Sequence, residues 1–237
     1  MTYKRILLKL SGEALGSPGT GHGIDPATVR RLSKEIKAVL DLGIEVAVVC
    51  GGGNILRGAE FSELGAVRAT ADYMGMLGTV INGLALSDAL EAEGCETRVL
   101  TALEVRAVAE PYVRRRALRH LAKGRVTILV GGLGTPLFTT DTAAAQRAVE
   151  LGCDVLLKGT KVDGVYTADP KKDPTATRID SLSYMEVLRD QLRVMDGTAI
   201  TLCMENELPV VVFDMFEPGN LERAAKAQQG LGTSIGA

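Results

Sequence analysis

Histidine and cysteine are scarce in this chain, and their scarcity removes whole classes of chemistry. Among 237 residues only His22 and His120 are histidines, and only Cys50, Cys95, Cys153 and Cys203 are cysteines. The cysteines stand far apart and form no C-x-x-C pair, so no metal-ligand set emerges and they read as reduced thiols of a cytoplasmic protein. Neither sign of charge dominates: 27 Lys and Arg against 29 Asp and Glu leave a net charge of −2. Such a surface has no general attraction for nucleic acid or an anionic membrane, and any bound anion must find a local basic site. No stretch approaches the roughly 18 uninterrupted apolar residues of a membrane span. Ile6-Leu7-Leu8 is too short for the core of a secretion signal. The expectation is a soluble, cytoplasmic protein with neither nucleic acid nor membrane as partner. Two nucleotide-binding templates are missing as well. There is no Gly-Lys dipeptide and hence no Walker A loop, and no G-x-G-x-x-G in the glycine clusters and hence no dinucleotide fingerprint.

What is present is a large apolar fraction, 46% of residues, enough for one substantial α/β domain spanning the chain. Short β-branched runs recur at Arg5 to Leu10, Ile44 to Val49, Val126 to Val130, Asp154 to Lys158 and Val210 to Phe213. Helical patterns lie between them. Asp25-Pro26 supplies an N-cap and a first-turn proline, Leu32, Ile36, Val39 and Leu40 an apolar stripe, and Gly43 a stop. Ser183 followed by Glu186 spells a capping box. Alternating strands and helices predict right-handed crossovers and a mostly parallel sheet covered on both faces. The segment Asp72 to Leu90 is apolar nearly all round and carries Gly75, Gly78 and Gly83. It reads either as a buried central helix or as one packed against a second copy of the chain.

Three predicted strands run into glycine clusters: Ser11-Gly12, Gly51-Gly52-Gly53-Asn54 and Gly131-Gly132-Leu133-Gly134. Such loops present backbone N–H groups, which suit anions, although βα loops also use glycine for conformation alone. Lys9 ends an apolar strand beside Ser11, as a cation reaching into a cleft or as a rim lysine turned to water. Arg57 follows the triple-glycine loop closely enough to reach the same phosphate. Asp141 and Asp196 each stand at a helix start, where a carboxylate serves as an N-cap or aligns a cation. After the Asp154 strand, Lys161 to Pro170 combines an Asp-Gly turn with Thr160, Tyr166 and Asp169. It reads as a solvated hairpin or as the wall of a nucleotide site.

Taken in order, Lys9-Leu10-Ser11-Gly12, Gly51 to Asn54 with Arg57, Thr139-Thr140-Asp141 and Lys161 to Pro170 resemble the amino acid kinase family over essentially the whole chain. Asp72 to Leu77, Asn82 to Ala85 and Lys172 to Ala176 are similar to its UMP-phosphorylating branch. The resemblance implies a three-layer α/β/α sandwich, ATP carrying Mg²⁺ as donor, UMP as acceptor, a place in pyrimidine nucleotide biosynthesis, and a homohexamer built from dimers. A catalytically silent nucleotide- or oxyanion-storage protein on the same fold is the alternative. Lys9, Arg57, Asp141 and Asp196 are then the implied catalytic set. ATP is implied to contact Lys9, Leu10, Ser11, Gly12, Gly53, Arg57, Thr160, Tyr166 and Asp169. UMP is implied to lie over Gly52, Asp72 and the loop Leu133, Gly134, Thr135, Pro136, Leu137, Phe138, Thr139 and Thr140. The family often has Gly-Thr-Gly-Asn-Pro where this chain has Gly132-Leu133-Gly134-Thr135-Pro136, which shifts uracil recognition toward backbone groups. Activation by GTP and inhibition by UTP are implied for the glycine-rich, mobile-looking segment Ser17, Pro18, Gly19, Thr20, Gly21, His22 and Gly23, together with Arg98 and Arg125. Arg114, Arg115, Arg116, Arg119 and Lys123 extend a basic patch that reads as a solvated or subunit-facing surface.

Overall fold

The computed structural model describes residues 2–56, 65, 67–168, 172–173, 175–192 and 194–236. Arg57, Asp169 and Pro170 lie outside the described residues. The chain opens with β1 (Arg5–Leu10), a 3-10 turn (Gly12–Ala14), α1 (Pro26–Leu40), β2 (Glu45–Cys50) and α2 (Arg68–Ala92). Next come β3 (Thr97–Thr101), β4 (Glu110–Pro111), α3 (Arg114–Leu121), β5 (Val126–Val130), α4 (Thr140–Leu151) and β6 (Val155–Thr160). The remainder is β7 (Val165–Tyr166), β8 (Arg178–Ile179), β9 (Ser181–Ser183), α5 (Tyr184–Arg189), α6 (Gly197–Glu205), β10 (Val210–Asp214), α7 (Asn220–Ala225) and β11 (Thr233–Gly236).

Among the described residues, nine strands form one sheet in the order β4-β3-β5-β2-β1-β6-β10-β11-β9. Every neighbouring pair is parallel except β10 with β11. The alternation of side chains along β1 divides the interior into two cores. Ile6, Leu8 and Leu10 pack with α1, α2 and α7 through Ile36, Leu86 and Leu221. Leu7, Val49 and Leu156 pack on the opposite face with α3, α4 and α6 through Leu121, Ala148 and Ile200. The result is the expected three-layer α/β/α sandwich.

Local chemistry accounts for the helix boundaries. Asp25 accepts a hydrogen bond from the Thr28 N–H at 2.8 Å, Pro26 occupies the first turn, and α1 ends just before Gly43. Ser183 and Glu186 form the capping box reciprocally at the start of α5. α2 departs from the expectation of a helix buried all round: Met76, Val80, Leu86 and Leu90 face the core, while Tyr73, Met74, Leu77 and Ile81 are exposed along the other side. Two of its glycines permit close approach, since a Cβ on Gly83 would strike the Val130 side chain and one on Gly78 would lie 3.2 Å from the Gly52 carbonyl oxygen.

The topology locates the site. From β1 the chain passes through α1 to β2 on one side, while β5 passes through α4 to β6 on β1's other side. Strand order therefore reverses at β1, and the crevice beyond the carboxyl ends of β1, β2 and β6 is where an open α/β sheet binds ligands.

Candidate active site

Strand parity decides where the chain's lysines go. Lys9 shares Leu7's face of β1, and Lys158 shares Leu156's face of β6, so both point into the α4 and α6 layer. The strands pair in register, with Lys9 opposite Lys158. Asp141, in the first turn of α4, takes both ammonium groups: Lys9 Nζ is 2.7 Å from Oδ1, and Lys158 Nζ is 2.9 Å from Oδ2. The three side chains are only 10%, 13% and 15% exposed for Lys9, Lys158 and Asp141. Lys9 is therefore an interior cation and not a rim lysine. Lys158 also donates to the Val194 carbonyl.

Burial opposes ionisation of Asp141, yet the charges of Lys9 and Lys158 outweigh it and hold the carboxyl below its ordinary value. For Lys158, burial lowers the ammonium pKa, Asp141 opposes the shift, and the neighbouring Lys9 adds to it. The triad of two ammonium groups and one carboxylate retains one positive charge. Its electrostatics suit the binding of a polyanion.

The two aspartates at helix starts have different roles. Thr139 caps α4, accepting from the N–H groups of Asp141 and Thr142 at 3.1 and 3.2 Å, so the reading of Asp141 as an N-cap is corrected. Asp196 caps α6, accepting from the Ala199 N–H at 3.0 Å. Asp196 also accepts from the hydroxyls of Thr139 and Thr142, the latter at 3.0 Å, and so fixes the start of α4 beside the triad.

A cavity of about 270 Å³ lies on one side of this centre. Its walls include Gly52, Asp72, Leu133, Thr135, Phe138, Thr139 and Thr140 from the expected acceptor set, together with Gly53 from the expected donor set and Arg68, Met76 and Thr79. Gly134, Pro136 and Leu137 are not part of that lining. Leu137 has φ 73°, and its N–H donates to Asp72 Oδ2 at 2.8 Å. Arg68 Nε donates to Asp72 Oδ1 at the same distance, so Asp72 braces the loop as well as lining the cavity. The N–H groups of Gly52 and Gly53 have no acceptor among the described residues.

A second cavity of about 600 Å³ is lined by Lys158, Thr160, Val162, Gly164, Tyr166, Thr167, Lys172 and Gln191 among others. The Asp163-Gly164 turn of the Lys161 segment closes no hairpin within that segment, because it joins β6 to β7, which lie in different sheets. β7 pairs antiparallel with β8, and Tyr166 donates from its hydroxyl to Asp163 at 2.7 Å while lining the cavity. Leu10 is fully buried, so only its backbone can serve a ligand. Ser11 and Gly12 lie against the triple-glycine loop, where a methyl on Gly12 would collide with Asn54 Oδ1 and stand 2.7 Å from the Gly53 nitrogen.

The segment from Ser17 to Gly23 is tied back on itself. Ser17 N–H donates to the His22 carbonyl at 3.0 Å, Gly21 N–H to the Ser17 carbonyl at 2.8 Å, and Gly23 N–H to the Asn54 carbonyl at 2.9 Å. Its glycines thus serve a hydrogen-bonded turn packed against the triple-glycine loop. Arg98 and Arg125 lie apart from the triad. Arg98 borders a cavity of about 460 Å³ with Ser87, Arg106 and Glu110, while Arg125 donates to Glu96 at 2.7 Å.

Lys158 is the member of the triad that the sequence reading missed. The available signal was a repeat: Leu156-Leu157-Lys158 restates Leu7-Leu8-Lys9 at the end of a second apolar strand. Among the described residues no helix is long and apolar enough to cross a membrane, and no cluster of three His, Cys, Asp or Glu side chains is disposed to hold a metal ion.

Comparison with known proteins agrees with this geometry. The amino acid kinase family model matches residues 4–214. A UMP kinase structure from Bacillus anthracis is 42% identical, with a TM-score of 0.95, covering 100% of this chain and 97% of that one. A UMP kinase structure from Ureaplasma parvum is 35% identical, with a TM-score of 0.93 and full coverage of both chains. A uridylate kinase structure from Archaeoglobus fulgidus is 28% identical, with a TM-score of 0.71, covering 99% of this chain and 100% of that one. Sheet order, the crevice beside β1 and these alignments converge, and the chain belongs to the amino acid kinase family.

Proposed function

We propose that this chain transfers the γ-phosphoryl group of ATP to UMP, giving ADP and UDP as a step of pyrimidine nucleotide biosynthesis. The observation that carries the reading is the Lys9–Asp141–Lys158 triad, placed with Thr139 and Thr140 toward the smaller cavity and Lys158 toward the larger. The smaller cavity is assigned to UMP and the larger to the adenosine side of ATP. The structural relatives described as UMP kinases support this choice of acceptor.

The chemistry requires no general base. A phosphate monoester has its second pKa near ~6, so the attacking UMP oxygen is already anionic at neutral pH. The protein must instead align two polyanions and offset the charge that develops during transfer. Lys9 and Lys158 supply two ammonium groups whose positions Asp141 fixes. The Gly52 N–H and the N-terminus of α4 add donors on the acceptor side. Ser11, Gly12 and Gly53 are assigned to the ATP phosphates, and Thr160 and Tyr166 to adenosine. Both active-centre carboxylates are engaged, Asp141 by lysines and Asp196 by hydroxyls and an N–H. Mg²⁺ would therefore arrive with the donor nucleotide, where it would offset phosphate charge.

The exposed apolar side of α2 supports self-association, in a homohexamer assembled from dimers. The cavity beside Arg98 and Arg106 supports an anionic effector, GTP or UTP. The test is ADP release with UMP, CMP, dCMP, glutamate and aspartate offered separately as acceptors. UMP is expected to give the dominant rate. Absence of UMP-dependent release, or preference for a carboxylate, would overturn the proposal.

A further inference from the structure

Two asparagines occupy an interior where leucine would be the simpler choice. Asn54 ends the triple-glycine loop and Asn82 lies within α2, and they are 3% and 0% exposed. Asn82 Nδ2 donates to Asn54 Oδ1 at 2.6 Å and to the Gly51 carbonyl at 2.7 Å. In return Asn54 Nδ2 donates to Asn82 Oδ1 at 3.0 Å and to the Gly23 carbonyl at 2.6 Å. The pair thus satisfies itself and fastens two further segments to α2. A fully satisfied buried network of this kind fixes one geometry, because breaking any member strands the others.

The geometry it fixes concerns the phosphate-facing backbone. In a trans peptide the C=O of one residue and the N–H of the next point in opposite directions. The grip of Asn82 on the Gly51 carbonyl therefore turns the Gly52 N–H away from α2's interior contact. The Gly52 carbonyl is taken by the Ile55 and Leu56 N–H groups, both at 3.0 Å, which orients the Gly53 N–H in the same manner. Gly52 and Gly53 are the residues of this loop that line the smaller cavity with Thr139 and Thr140.

We propose that Asn82, acting through Asn54 and the Gly51 carbonyl, is a positioning residue that aims the Gly52 and Gly53 N–H groups at the phosphate being attacked or transferred. Asn54 extends the same lock to the segment ending at Gly23, so that segment and the phosphate-facing loop move as one body. This inference rests on the phosphotransferase reading.

The test compares Asn82→Leu, Asn54→Ala and the double variant in the full-length chain, with UMP and ATP as substrates, at a temperature well below each melting transition. Each single change is expected to lower kcat by about 10- to 100-fold, the size of effect that misplacement near 1 Å produces, with KM for UMP changing less than kcat. Because the two amides act as a unit, the double variant should lose little more than the worse single one. Folded single variants with wild-type kcat, or losses that multiply in the double variant, would overturn the proposal. Should Asn82→Leu fail to fold, the kcat and KM of Asn54→Ala decide the outcome on the same criterion. A wild-type chain that makes no UDP would instead refute the phosphotransferase reading, so the two failures are distinct.

Discussion

Replacing Asp141 by asparagine keeps the shape of the active centre and removes the one charge that holds Lys9 and Lys158 together. Both lysines sit within 3 Å of that carboxylate, at 2.7 and 2.9 Å, with nine-tenths or nearly so of each side chain shielded from water. Removing one partner from a buried ionic cluster costs about 3–5 kcal/mol, and the cavities beside this one favour the lower end, about 3 kcal/mol. For a domain of this length each kcal/mol is worth about 2–4 °C, so the melting temperature near pH 7 should drop by about 6–12 °C.

The pH dependence carries the stronger signature. In the wild type Asp141 is depressed below its ordinary 3.8, so its contribution is fully present above that pH and is lost as pH falls through the folded value. Lys158 is depressed below its ordinary 10.5 by burial, with Asp141 resisting the shift, and loss of Asp141 depresses it further. The variant's penalty comes from two charged ammonium groups. It should be greatest near neutrality and shrink as pH rises toward 10 and Lys158 gives up its proton. Thermal unfolding followed by circular dichroism between pH 6 and 10, wild type against Asp141→Asn, measures the difference directly. A melting temperature unchanged by the substitution, or a deficit constant across that range, would refute the account of a shared carboxylate.

Lys158→Met should lower kcat by about 10²- to 10³-fold while the chain stays folded, since it deletes one preorganised cation from the transfer site. With Lys158 intact, kcat should fall on the alkaline side below pH 10.5, and Lys158→Arg should move that limb upward; steady-state profiles from pH 7 to 11 show either outcome. Gly12→Ala should abolish activity through backbone displacement, because its methyl would meet Asn54 and Gly53, which turnover and a melting curve together report. Leu77→Glu with Ile81→Glu should reduce the proposed homohexamer to smaller species in light scattering, placing charge on the exposed side of α2.

Much of this architecture was legible from sequence because apolar runs and caps are local signals. The β1 and β5 runs match their observed bounds, and Asp25-Pro26 and the Ser183 capping box start helices as expected. β3 escaped notice because Thr97, Arg98 and Thr101 interrupt its apolar pattern, and β4 and β7 to β9 are too short to carry a period. The site was legible in its glycine loops and in Lys9. It was not legible where register decides: that Lys158 stands opposite Lys9, and that one aspartate serves both, follows from strand pairing and helix placement. Asp141 and Asp196 look alike in sequence because each stands within a residue or so of a helix start, Asp141 as the second residue of α4 and Asp196 just before α6. Only the neighbouring Thr139 cap frees Asp141 for the lysines.

On the proposed function, the buried lysine centre at the carboxyl ends of β1 and β6 promotes phosphoryl transfer to UMP. Following UMP and ATP by ³¹P NMR with the wild-type chain and with Lys9→Ala tests it most directly. UDP should form in step with ADP in the wild type, and its rate should fall by at least about 10³-fold in a variant that remains folded. No UDP from the wild type, or wild-type rates from Lys9→Ala, would contradict it.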